Sequence, residues 1–66
     1  MDLSMLFKSQ WKQLRGKAKE QWGELTDDDL DKVEGKFDQF VGLIQEKYDL
    51  NSSKAEAEVK KFLTGK

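Results

Sequence analysis

Four cations, Lys8, Lys12, Arg15 and Lys19, recur at steps of three or four residues near the start of this 66-residue chain, with no acidic residue between the first and the last. At 100° per residue they form a narrow stripe along one helix. Like charges one turn apart repel by roughly a few tenths of a kcal/mol per pair, so the stripe gains from an anionic partner. Three partners fit that chemistry: carboxylates of the same chain, the phosphates of a nucleic acid, and an anionic membrane surface. Four cations on one helix supply weak, salt-dependent binding, and no motif that reads bases accompanies them, so sequence-specific recognition is not expected.

The chain's own acids lie close by. Asp27, Asp28, Asp29 and Asp31 follow Thr26, and Asp27, Asp29 and Asp31 have the alternation of the first ligands of a calcium loop. The match then stops. Position six would be Lys32 where glycine is required, position twelve would be Asp38 rather than glutamate, and Leu30, Val33 and Phe37 keep helical spacing throughout. The expected role is a helix start: Thr26 as cap, Asp29 reaching back to it, Leu25 and Leu30 as hydrophobic staple, and the aspartates against the positive end of the helix dipole. No metal site is assigned. Catalysis has little material either, since histidine and cysteine are absent, and Glu20, Glu46 and the aspartates occupy caps or solvated faces. No catalytic or cofactor-binding residue is assigned, and the chain is expected not to be an enzyme.

The elements that position these residues are helical. Phe7, Trp11, Leu14, Ala18, Trp22 and Leu25 recur every three or four positions, proline is absent, and nothing alternates as a strand would. A first helix is expected over residues 9–22, with room for an N-terminal extension, and a second, short one over 27–33. Leu30, Val33, Phe37, Phe40, Val41, Ile44 and Tyr48 continue the spacing across Gly35, which leaves one long helix or two shorter ones open. An internal comparison favours two. Shifted by about 26 residues, Trp11 falls on Phe37, Gly16 on Gly42, Trp22 on Tyr48 and Thr26 on Ser52, an approximate duplication of two α-hairpins. Gly35 then marks a turn, the third helix runs over 36–48, and a fourth follows a cap at Ser52 or Ser53, burying Ala55, Val59, Phe62 and Leu63.

The glycines at 16 and 42 fall inside helices, where each costs about 1 kcal/mol relative to alanine, and a close helix crossing or a local kink is the expected compensation. Trp11 and Trp22 share the face of Leu14 and Ala18 and are read as core anchors rather than stacking platforms. Leu43 stands off the apolar face of the third helix and, with Leu50, forms at most a small contact patch.

Composition bounds the class. One small domain is expected over residues 1–66, its ends (1–8 and 64–66) prone to fraying; 36% hydrophobic and 11% aromatic residues suffice for a compact core despite 38% charged ones. The net charge of −1 argues against bulk binding of polyanions. Without cysteine there is no disulfide framework, and without a long apolar run or a basic, apolar leader the expectation is a cytoplasmic monomer with no membrane span.

"WKQLRGKAKEQWGELTDDDL" followed by "VEGKFDQFVGLIQEKY" resembles the CsbD-like family of small bacterial stress-response proteins. The resemblance covers about residues 11–59. It is carried by Trp11-Lys12, Gly16-Lys17, Glu20-Gln21-Trp22-Gly23, Leu25-Thr26-Asp27-Asp28, Glu34-Gly35-Lys36, Gly42 and Ile44-Gln45-Glu46-Lys47-Tyr48. It implies an all-α bundle of about four helices, two orthogonally packed α-hairpins in a SAM-domain-like arrangement, in a bacterial cytoplasmic protein made under stress. It implies no activity, cofactor or site residue. The reading is therefore a non-enzymatic stress-response protein acting through weak contacts with an unidentified protein partner or through abundance. The alternative is weak binding of nucleic acid or an anionic surface by Lys8, Lys12, Arg15 and Lys19.

Overall fold

A computed structural model describes residues 3–64, all of whose regular elements are helices: α1 (Leu3–Ser9), α2 (Trp11–Gln21), α3 (Asp27–Val33), α4 (Phe37–Tyr48) and α5 (Ser52–Thr64). Five helices stand where about four were expected, because the first apolar run is divided at Gln10 (φ −108°, ψ 12°). The cause is local. The Ser9 hydroxyl donates to the Leu6 carbonyl at 3.0 Å, Gln10 N–H takes the same carbonyl at 3.1 Å, and no side chain caps α2. The break lets Phe7, with no exposed surface, enter the core from α1.

Thr26 Oγ1 accepts from Asp29 N–H at 3.1 Å and Asp29 Oδ2 accepts from Thr26 N–H at 3.1 Å, the reciprocal cap expected for α3. Leu25 and Leu30, on either side of that cap, are both buried. The chain then leaves the helix through two successive left-handed residues, Glu34 (φ 53°) and Gly35 (φ 75°), so α3 and α4 are separate helices. Only glycine suits the second position, since a Cβ there would sit 3.2 Å from Cβ and Cγ of Trp11 as well as at positive φ. At the far end of α4, Asp49 (φ 52°) repeats the left-handed exit, and Leu50 N–H reaches back to the Gln45 carbonyl at 3.1 Å. Asn51, not Ser52 or Ser53, caps α5: its Oδ1 accepts from Lys54 N–H at 2.8 Å. With that register Ala55 and Val59 are buried, and Phe62 and Leu63 half-buried.

Helix α4 is the centre of the molecule and packs against α1, α3 and α5. Phe40 has no exposed surface, and its ring lies 5.3 to 6.4 Å from those of Phe7, Trp11, Trp22 and Phe62, so four segments meet on one side chain. Trp22 is buried as expected, while Trp11 and Phe37 are half-buried at the edge of the same cluster. The expected close crossings at Gly16 and Gly42 are not found, for a Cβ added at either meets nothing within 4 Å. Both lie on the exposed sides of their helices, a placement that apolar spacing alone does not give.

Candidate functional site

The four cations of the predicted stripe do not act as one group. Arg15 donates to Asp31 Oδ1 at 2.9 Å and Lys19 to Asp27 Oδ1 at 2.9 Å, so the stripe's carboxyl-terminal half ties α2 to α3. These pairs are exposed, and solvent screening leaves each of them weak. Hydrogen bonding from Lys19, then its charge, holds the Asp27 carboxyl below the ordinary 3.8. Lys8, on α1, and Lys12, at the start of α2, are exposed and have no ion-pair partner among the described residues.

The aspartate cluster is likewise divided. Asp29 pairs with Lys47 of α4 at 3.1 Å as well as closing the Thr26 cap; the hydrogen bond from Lys47 first, and that from the Thr26 backbone second, hold its carboxyl below the ordinary 3.8. The three residues that alternate like calcium ligands thus face three different cations, Lys19, Lys47 and Arg15. They serve as struts between helices.

Two surface depressions can be outlined among the described residues. One, of about 450 Å³ between α3 and α4, is lined by Asp29, Lys32, Val33, Gly42, Leu43 and Glu46 among others. Leu43, expected as a stray exposed leucine, is half-buried on its wall, as Leu50 is elsewhere at the core's edge. The other, of about 290 Å³, lies where α1 meets the start of α4 and takes Lys8, Lys36, Phe37 and Gly35 into its lining. Lys36 was absent from the predicted site. The clue was the Glu34-Gly35-Lys36 turn, which ends one helix and sets residue 36 at the head of the next, but its proximity to Lys8 spans 28 positions and is a product of the fold. No polar or charged residue is buried among the described residues, nor does any group of three acids, histidines or cysteines lie close enough to hold a metal.

Comparison with known proteins bears on this exterior. The sequence pattern of the CsbD-like family matches residues 7–61. This chain belongs to the CsbD-like family. It is 66% identical over 50 residues to a UPF0337 protein of Pectobacterium atrosepticum, covering 76% of this chain and 72% of the relative. To the UPF0337 protein YjbJ of Escherichia coli K12 it is 61% identical over 49 residues, 74% and 71% of the two chains. A UPF0337 protein of Pseudomonas aeruginosa is 49% identical over 59 residues, 89% of this chain and 91% of the relative. No solved structure is significantly similar. Membership supports a stress-related role in bacteria for this small all-helical CsbD-like protein. No helix among the described residues is long and apolar enough to cross a membrane.

Proposed function

We propose that this CsbD-like domain is a non-enzymatic, cytoplasmic stress-response protein that works as a monomer through weak protein contacts of its charged exterior. The supporting observation is the spending of its large side chains: Phe7, Trp22, Phe40, Leu30 and Ile44 are all buried, and no polar or charged residue is buried with them among the described residues. What remains for recognition is a wet surface, half of whose cationic stripe is neutralised from within. Two orthogonal, approximately duplicated hairpins of SAM-like type complete the proposal. Its support is the matching of Gly16 with Gly42, both helix-interior and both facing open space, and of Trp11 with Phe37, both at the edge of the ring cluster.

The test is capture of proteins by the tagged chain from stressed bacteria, together with growth of a deletion strain under the same stress. Specific partners whose loss reproduces the deletion phenotype are the expected result. A deletion phenotype with no partner leaves action through abundance in its place. A second reading, recognition of an anion through the stripe, has its own observation in Lys8 and Lys12, which have no ion-pair partner among the described residues.

A further inference from the structure

We propose that Lys8, Lys12 and Lys36, with the half-buried rings of Trp11 and Phe37, form a weak binding surface for single-stranded nucleic acid. The proposal rests on the anionic-ligand reading just given and changes its residues. Arg15 and Lys19 leave the set because Asp31 and Asp27 hold them at 2.9 Å. Lys36 enters it because it shares with Lys8 the depression of about 290 Å³ between α1 and the head of α4. Neither it nor Lys8 or Lys12 has an ion-pair partner among the described residues.

The rings decide the class of partner. Phe37 lines the same depression, and Trp11 packs over Gly35, its Cβ and Cγ 3.2 Å from where a Cβ at that glycine would stand. Both rings keep part of their surface in solvent, unlike Phe7 and Phe40, which keep none. Cations beside partly exposed aromatic rings are what an unpaired strand uses, its phosphates meeting the ammonium groups while a base stacks on a ring. A duplex hides its base faces from such rings. An anionic bilayer asks for an apolar face to insert, whereas Met5 is the one large hydrophobic residue counted as exposed among the described residues. Asp38 also lines the depression and opposes any anion, which keeps the affinity low. Three phosphate contacts give a slope of log affinity against log salt of about −2 for a single strand, or roughly fifteen-fold weaker binding between about 50 and 200 mM salt.

Fluorescence anisotropy with a labelled oligothymidylate tests this on the whole chain, with a labelled duplex and anionic phosphatidylglycerol vesicles as parallel arms. Binding with that salt dependence is expected, weakened at least tenfold by Lys8→Gln with Lys36→Gln and several-fold by Phe37→Leu. Lys54→Gln, on α5, should leave it unchanged, and circular dichroism verifies that each variant is folded. Unchanged affinity in the Lys8/Lys36 variant overturns the proposal. Greater loss from Arg15→Gln with Lys19→Gln overturns it while preserving the broader stripe reading, as does binding confined to the duplex or the vesicles. Failure to bind in all three arms at low salt overturns both.

Discussion

Replacing glycine by alanine should have opposite effects at different positions of this chain. Gly16 is the sixth residue of α2 and Gly42 the sixth of α4, both far enough from the ends to bear the full helix penalty. An added methyl at either meets nothing within 4 Å, so it neither clashes nor gains packing, and the effect reduces to helix propensity. That is about 0.8 to 1.0 kcal/mol of stabilisation for each. The two lie on separate helices with no shared partner, so the double variant should gain close to 2 kcal/mol. For a domain of this size 1 kcal/mol moves Tm by about 4 to 8 °C, a shift easily read from helical circular dichroism on heating. Gly35→Ala should lower Tm instead, because the position has φ 75° and a methyl there would press on Trp11 at 3.2 Å; the left-handed backbone alone costs about 1 to 2 kcal/mol. Unchanged or lowered stability in Gly16→Ala or Gly42→Ala would show that these positions meet something in the folded protein, and the reasoning would be refuted.

Other outcomes follow from the same contacts. Thr26→Ala removes one side of the reciprocal cap on α3 and should cost about 1 kcal/mol in a denaturant titration, with Thr26→Ser nearly neutral; equal loss in both would refute the hydrogen-bond account. Phe40→Ala removes the ring on which four segments meet, a loss of about 3 to 5 kcal/mol that matches the whole stability of a small domain, so no cooperative thermal transition should remain. Asp27 and Asp29 titrate below their ordinary 3.8 in the folded protein, so the stability they contribute is present above that value and is lost as pH falls through the folded pKa values. Tm should therefore hold down to about pH 5 and decline below about pH 4. Asp29→Asn should lower Tm at neutral pH and flatten that decline; an acid limb of undiminished steepness would assign it to other carboxylates.

What the sequence revealed and what it concealed divide by range. The cap of α3 depends on four consecutive residues, and both its hydrogen bonds form where Thr26 and Asp29 predict them. The faces of α2, α4 and α5 depend on spacing, and Leu14, Ala18, Phe40, Ile44, Ala55 and Val59 are buried as that spacing requires. At Gln10 the apolar spacing runs on unbroken, so periodicity had no means of revealing that Ser9 turns its hydroxyl onto the backbone. Asn51, Ser52 and Ser53 are all competent caps, and the choice falls to whichever register buries Ala55 and Val59. Whether Gly16 faces a neighbour, and whether Lys8 meets Lys36, depends on how helices are placed against one another.

The division of the cationic stripe governs how its function can be tested at all. Reversing the charge of Lys8, Lys12, Arg15 and Lys19 together would set glutamates against Asp27 and Asp31, adding repulsion between α2 and α3 to any loss of binding. A destabilised chain that no longer bound a ligand would then be indistinguishable from a folded chain with its site removed. Substituting the pairs separately breaks that ambiguity, since Arg15 and Lys19 should change stability slightly and Lys8 with Lys36 should change it not at all. Neutral glutamine is the right replacement because it removes the positive charge, keeps a polar end on a flexible stem and adds no opposite charge to repel Asp27 and Asp31. If Lys8→Gln with Lys36→Gln lowers Tm by more than a degree or two, those lysines are also held by the fold, and a loss of binding in that variant would no longer locate the surface.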